Sequence, residues 1–248
     1  MREIRGTQTV GRALGLLKAV AGRHPSGITL AELTAQAGLD RSTAYRLMSS
    51  LVEAGMVDRD DRRHYRLGLE AMQLGLAAMN RSPLADRCRP FMQRLARITE
   101  DTVFLVVRNG DYGHCVHYEE GAFPIKALVL SIGGMRVLGI GSAGMTLLSR
   151  LDDAEIAALH ARHVEEFEPY GLTLARLKPL VTATRSRGYA ESDGLVTQGV
   201  GAVGMGFATS GSGYAAISIA AISSRMSATR RQWIADMLGR ELRGANFE

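Results

Sequence analysis

Cysteine is scarce in this chain: its 248 residues hold Cys88 and Cys115 alone, with no Cys-x-x-Cys. That excludes a disulfide-built secreted scaffold. At most one bridge could form, and two thiols in a cytoplasmic protein is the plainer reading. Long apolar runs are absent as well. No stretch of about eighteen apolar residues occurs, so no helix is expected to span a membrane. Met1–Gln8 lacks the apolar segment of a signal peptide, which points away from export. The spacings that carry catalysis are missing too: there is no P-loop, no triad order and no paired carboxylates. A serine-hydrolase elbow needs Gly-x-Ser-x-Gly, yet Ile140 stands two residues before Ser142. Catalysis is therefore the weaker reading, and neither a cofactor nor a metal is expected.

What is present suits a soluble globular chain, 46% hydrophobic and 22% charged, long enough for one small domain and one of middling size. Its charge is unevenly placed. Residues 1–66 hold eleven Lys/Arg, ten of them Arg, against seven Asp/Glu, whereas the other 182 residues hold nineteen against eighteen. Most of the net charge of +5 therefore sits in the first quarter, as in a polyanion-binding head on a nearly neutral body.

The first quarter reads as helices. Val10, Ala13, Leu14, Leu17, Val20 and Ala21 recur at helical spacing behind Thr9, a candidate N-cap, and His24-Pro25-Ser26-Gly27 breaks the run. A second helix begins at Thr29 with Glu32 at capping-box distance, buries Leu30, Leu33 and Ala37, and ends at Gly38. Asp40 caps a third, Arg41 to Ala54, with Ala44, Leu47, Met48 and Leu51 inward and Arg41, Ser42, Tyr45, Arg46 and Ser49 outward. Two short helices through a glycine turn, the second exposing Arg, Ser and Tyr, make a helix-turn-helix whose second helix fits the major groove of DNA. Met56–Arg59 and His64–Leu67 then bracket Asp60-Asp61-Arg62-Arg63, a hairpin wing with a basic tip. A plain helical subdomain with solvated arginines is the competing reading. The order of helix, helix-turn-helix and basic hairpin favours DNA.

Five stretches of this head, Thr9–Leu17, Ile28–Leu33, Leu39–Leu51, Gly55-Met-Val57 and Tyr65-Arg-Leu-Gly68, match in order and spacing the IclR family of bacterial regulators, which the sequence resembles. The resemblance implies a DNA-binding surface at Thr9, Arg12, Arg41, Ser42, Thr43, Tyr45, Arg46, Arg62 and Arg63. It extends through Leu130-Ser-Ile-Gly-Gly134, Gly141-Ser-Ala-Gly144, Arg187–Asp193, Gly199–Ala202 and Ala215–Ile219.

Gly68–Asn80 is helical in period and almost uncharged, so it must pack on something: a second subunit, or the core of the body. In the resembling family it links the domains and joins dimer contacts. A helix from Ser82-Pro83 through Ile98 follows, with Leu84, Cys88, Phe91, Leu95 and Ile98 inward. Strands are expected at 102–108, 114–118, 126–131, 200–208 and 215–221, and helices near 143–150, 152–163, 173–188 and 227–243. The fold class is α+β: a winged helix-turn-helix domain (7–67), a linker helix (68–82) and, as the resemblance implies, a GAF-like effector-binding domain (83–246).

Two Gly-x-Gly-x-x-Gly matches, Gly139–Gly144 and Gly199–Gly204, lack a dinucleotide fold's context: helices follow the first, and the second lies within a strand. His114-Cys115-Val116-His117 hints at a metal, yet by strand alternation only Cys115 and His117 share a face, and no second ligand cluster exists. The loop Gly139–Gly144 opens a helix, so it is either an anion cradle or a tight turn that needs glycine for φ > 0. The resemblance turns that loop toward an effector pocket and implies a lining of Leu128, Ser142, Ala143, Ser192, Val200, Ala202, Ser218 and Ala220, with Asp193 beside them. Three positions depart from family habit: Ser192 where some members carry an acid, Ala220 for a serine, and Met145 for a lysine. A lining of Leu, Val and Ala should favour an apolar or aromatic body over a very small polar acid. The implied partners are a pseudo-palindromic DNA operator, a small organic acid and a second copy of the chain, as a dimer or dimer of dimers. The rival readings are a winged-helix regulator with another sensor and an enzyme with a helical appendage.

Overall fold

A computed structural model describes residues 8–23, 26–79, 83–209 and 213–244. The expected break at His24-Pro25, the head's start at residue 7 and the linker's end at 80–82 lie outside the described residues. The chain divides into two compact units, residues 1–81 and 82–248.

In the first unit, α1 (Gln8–Gly22), α2 (Leu30–Ala37) and α3 (Arg41–Glu53) pack around Leu16, Val20, Leu33 and Met48. Strands β1 (Ile28–Thr29), β2 (Val57–Arg59) and β3 (His64–Leu67) form an antiparallel sheet in the order β1-β3-β2, closing the core with Ile28, Val57 and Tyr65. Helix boundaries follow local chemistry. Thr29 accepts from the Glu32 N–H while the Glu32 carboxylate accepts from the Thr29 N–H, a complete capping box. Gly38 takes the left-handed C-cap at φ 61°. The Asp40 carboxylate then accepts from the Thr43 N–H at 2.9 Å and starts α3. Helix α1 departs from expectation in phase. Its buried residues are Leu16 and Val20, whereas Val10 is 55% and Leu14 42% exposed, and Ala21 is exposed. The helix carries two apolar stripes, and periodicity alone could not tell which one faces α2 and α3. Thr9 lies inside the first turn, begun at Gln8, rather than capping it. Helix α4 (Leu69–Met79) follows β3, with Leu69, Met72, Leu74 and Leu76 each more than half exposed.

The second unit is a six-stranded antiparallel sheet between two helical layers. Its strands are β4 (Thr102–Asn109), β5 (Tyr112–Glu119), β6 (Met135–Val137), β7 (Ala190–Asp193), β8 (Val200–Thr209) and β9 (Gly213–Ile222), in the order β6-β5-β4-β9-β8-β7. One face carries α5 (Pro83–Thr99) and α10 (Ala228–Gly244) over a core of Cys88, Met92, Leu95, Val103, Leu105, Ile217 and Leu238. The other carries α6 (Gly141–Leu148), α7 (Asp153–Arg162), α8 (Val164–Phe167) and α9 (Leu174–Arg187) over Phe104, Val106, Leu147, Leu148, Leu159 and Phe167.

Three expectations for this unit need correction. Residues 126–131 are not a strand. Gly133 and Gly134 instead bond Cys115 of β5, and the carbonyl of Val129 is taken by the Arg136 side chain, so the edge strand is the shorter β6. Strand β7 was not foreseen, because Glu191, Ser192 and Asp193 give no apolar alternation. Ile98, expected inside, is 46% exposed at the end of α5. A bulge in the β4–β5 pairing adds a further change. It shifts the alternation so that Tyr118, not His117, joins Cys115 in the inner core. His117 bonds Glu119 at 2.7 Å instead.

Candidate DNA-binding face and effector pocket

On α3 the inward residues Ala44 and Met48 are fully buried, which turns Arg41, Ser42, Tyr45 and Arg46 outward. Thr43 is half-buried, its backbone N–H spent on the Asp40 cap. Arg12 and Thr9 lie exposed on α1. The wing tip exposes Asp61, Arg62 and Arg63, whereas Asp60 faces back into the hairpin. Its carboxylate accepts from the His64 N–H at 2.8 Å and pairs with Arg66, which also donates to the Ser26 carbonyl. The hydrogen bond from Arg66 is the chief reason the Asp60 carboxyl titrates below its ordinary range. Asp60 therefore braces the wing, its charge paired with Arg66 inside the hairpin. Arg59, not singled out in the sequence, is exposed on the same hairpin, its guanidinium 5.5 Å from the centre of the Tyr65 ring.

Arg63 adopts φ 63°, a left-handed conformation that glycine takes freely and arginine does not. Removing both Arg62 and Arg63 should weaken binding alike on operator and random DNA, and reduce the salt slope by about one phosphate's worth (~0.9) per arginine. Arg63→Gly keeps the turn and removes the charge, so it should repeat half of that change. Fluorescence anisotropy across a salt series measures it; an unchanged slope would remove the wing from the interface.

In the second unit a cavity of about 50 Å3 lies under the start of α6. Gly139 at φ 101° and Gly141 at φ 75° make the turn into that helix, and its N-cap, Ile140, offers no side-chain hydrogen bond. Helix α6 is almost wholly buried and lies close on the sheet. A Cβ on Gly204 would stand 2.8 Å from the carbonyl carbon of Ser142, so glycine is required there by contact. The Thr146 hydroxyl lies 2.9 Å and 3.0 Å from the carbonyls of Ser142 and Gly204, tying helix to strand. The Ser142 and Ser218 hydroxyls meet at 2.8 Å. Gly204→Val should push α6 off β8 and cost about 1–3 kcal/mol, read as a lower midpoint in thermal unfolding.

Of the residues assigned to the pocket from sequence, Ser142, Ala143, Ser192, Val200, Ala202 and Ser218 line this cavity. The other three stand elsewhere. Leu128 is 52% exposed, because the 126–131 segment runs as a loop whose next residues, Val129 and Leu130, turn in instead. The carboxylate of Asp193 accepts from Ser223 at 3.0 Å and from Arg231 at 2.7 Å; the Ser223 bond is the larger cause of its lowered pKa. Ala220 is 1% exposed and packed in the inner core opposite Ala202, beside the cavity wall without being part of it. Sequence reasoning missed Phe104, Val106, Arg136, Val196 and Thr197, all part of the lining. Arg136 had a visible signal: it is the one charged residue between Lys126 and Arg150.

Neither cysteine is poised as a nucleophile, since burial raises both thiols to about 11. Among the described residues no group of three or more His, Cys, Asp or Glu could hold a metal, and no helix is long and apolar enough to cross a membrane.

A winged helix-turn-helix with an exposed arginine-bearing helix, carried in one chain with an α/β domain that holds a mostly apolar pocket, is the build of a ligand-responsive DNA-binding regulator. Residues 9–61 match the IclR helix-turn-helix domain, and residues 76–242 match the bacterial transcriptional regulator IclR C-terminal domain. The chain belongs to the IclR family of bacterial transcriptional regulators. It is 29% identical over 247 residues to the HTH-type transcriptional regulator BhcR of Paracoccus denitrificans, covering 98% of this chain and 87% of that one. It is 30% identical over 151 residues to the HTH-type regulator KipR of Bacillus subtilis, a match that spans 61% of this chain and 59% of KipR. The crystal structure of an IclR family transcriptional regulator from Brucella abortus shares the fold with a TM-score of 0.82 at 19% identity, over 98% of this chain and 93% of that one.

Proposed function

We propose that this regulator binds a pseudo-palindromic operator as a dimer, or a dimer of dimers, in the cytoplasm, and releases or re-grips it when a small organic effector enters the α6 cavity. The DNA-binding domain (7–67) supplies Arg41, Ser42, Thr43, Tyr45 and Arg46 to the major groove, with Thr9, Arg12, Arg62 and Arg63 on the flanking backbone. The single observation that carries this reading is the outward face of α3, which is rich in hydrogen-bond donors and, among the described residues, without side-chain partners such as those that hold Arg66. The linker (68–82) is the dimer element. Its exposed Leu69, Met72, Leu74 and Leu76 make an apolar surface that needs a cover, and a second copy of the same helix is the simplest one.

In the effector-binding domain (83–246) the guest is held by Ser142, Ala143, Ser192, Val200, Ala202 and Ser218. The lining is apolar apart from a few hydroxyls and Arg136, so it suits an organic acid with a hydrocarbon body. Occupancy shifts operator affinity only by the difference in effector binding between the two head spacings. The relation to transcription expected here is repression, relieved or strengthened by that shift.

Selection of bound duplexes from a random pool tests the reading. Two half-sites centred about 34–36 Å apart, one helical turn or a multiple of it, are expected from paired recognition helices. Enrichment of a single half-site by a monomer would reject the dimer, and no enrichment at all would reject sequence-specific binding.

A further inference from the structure

We propose that Arg136 is the effector-selecting charge of the α6 cavity, and that it binds the carboxylate of a small organic acid, with the Ser142–Ser218 hydroxyl pair as the second contact. This rests on the reading of that cavity as the effector pocket.

The lining is otherwise uncharged, and Arg136 is the one ionic side chain among it. Three other half-buried arginines of this domain have carboxylate partners, Arg225 and Arg230 with Asp101 and Arg231 with Asp193, whereas Arg108 bonds a backbone carbonyl at the far end of β4. Arg136 is half-buried like them, yet among the described residues it pairs with no acid. Its guanidinium donates to the carbonyl of Val129, which leaves most of its five N–H donors and all of its charge uncompensated. A half-buried guanidinium with spare donors and no counter-charge is a ready partner for an anionic guest.

The serine pair adds an independent demand. Ser142 is 2% and Ser218 6% exposed, and the contact between them uses one hydroxyl proton of the two. The second proton has no acceptor in the protein among the described residues, and both side chains line the cavity. An acceptor group on the guest satisfies it. The remaining walls, Phe104, Val106, Val129 and Val200, suit a short hydrocarbon portion, and the planar fork of a guanidinium matches a carboxylate in two-point contact. Because Val129 shares the same guanidinium, a bound carboxylate also touches the group that holds the 126–134 loop against β6.

Calorimetric titration of the full chain with butanoate and 2-oxobutanoate, each beside its neutral amide of nearly the same shape, isolates the charge. Acids are expected to bind about ten- to a hundredfold more tightly than the amides. Arg136→Gln should reduce the acids to the level of the amides while the affinity for the amides themselves stays unchanged, Arg136→Lys should restore part of the difference, and Ser142→Ala should weaken acid and amide alike. Acids bound equally by the wild type and by Arg136→Gln, or bound by neither, would overturn the assignment. Inorganic phosphate that binds where the acids do not would overturn the carboxylate. Acid binding that survives Ala202→Phe, which fills the cavity, yet is lost in Arg136→Gln would sink the pocket itself.

Discussion

Replacement of Asp101 by alanine should cost the effector-binding domain about 3–5 kcal/mol, the largest loss expected of any single substitution in it. Asp101 stands at the turn from α5 into β4, its side chain 1% exposed. One carboxylate oxygen accepts from the Arg225 Nε at 2.9 Å and the other from the Arg230 Nη2 at 2.8 Å. Both arginines also donate to the Thr99 carbonyl, at 3.0 Å and 2.7 Å, and the Arg225 guanidinium lies 3.9 Å from the centre of the Phe123 ring. A single carboxylate thus gathers the end of α5, the start of β4, the turn after β9 and the first turn of α10. Without it Arg225 keeps as a carboxylate partner only the exposed Glu100 at 3.5 Å, and Arg230, whose Nε is already buried without a partner among the described residues, keeps no carboxylate there. Asp101→Asn keeps the shape and loses the charge, so it should fall between. The sole tryptophan, Trp233, sits on α10 with Arg230 over its ring, which makes its fluorescence the natural reporter in urea. A midpoint in Asp101→Ala within error of the wild type would show the ion cluster to be energetically idle. Replacing all three residues by apolar ones of similar volume is expected to cost less than removing Asp101 alone, because no orphaned charge is left behind.

The head was legible from sequence because its signals are local. A capping box, a left-handed glycine and an aspartate cap each act within four residues, and together they set α2 and α3. What was misread in the head needed a neighbour to decide it. Two apolar stripes on α1 offered themselves, and only the positions of α2 and α3 select the one bearing Leu16 and Val20. Asp60 looked like part of a charged tip until its partner Arg66, six residues on, drew it inward.

The body was harder for the same reason. Residues 126–131 have strand composition, yet the Gly133-Gly134 turn and the Arg136 side chain take the partners a strand would need. That one difference removes Leu128 from the cavity and brings Val129 and Leu130 to it. The serines and small residues of the lining could be placed from their likeness to the family. Arg136, a departure from an apolar run, was visible in the sequence, but its direction depends on the edge position of β6 and on its tether to the Val129 carbonyl, neither of which a residue pattern encodes.

Arg46→Ala and Arg41→Ala should each lose about 1–3 kcal/mol of binding on the operator, five- to 150-fold, and very little on random DNA. Both side chains leave α3 on the side opposite Ala44 and Met48, so neither contributes to the core of the head. The helix does not need them to form. Its start is held by Asp40, and its interior tolerates alanine better than any other residue. A loss of affinity therefore reports a lost contact with DNA and not a loosened head, which an unchanged circular dichroism melt would verify. An arginine that reads a guanine edge gives up a two-point hydrogen bond and relaxes preference at one base pair. An arginine on phosphate weakens every sequence alike and shifts the salt slope instead. Anisotropy on the selected operator, on single-base variants of it and on scrambled duplex at one fixed salt concentration separates the two. If Arg46→Ala loses equally on all three, its role is phosphate contact and the reading of bases passes to Arg41, Ser42 or Tyr45; if the double substitution still discriminates operator from scrambled DNA as the wild type does, α3 is not the recognition helix.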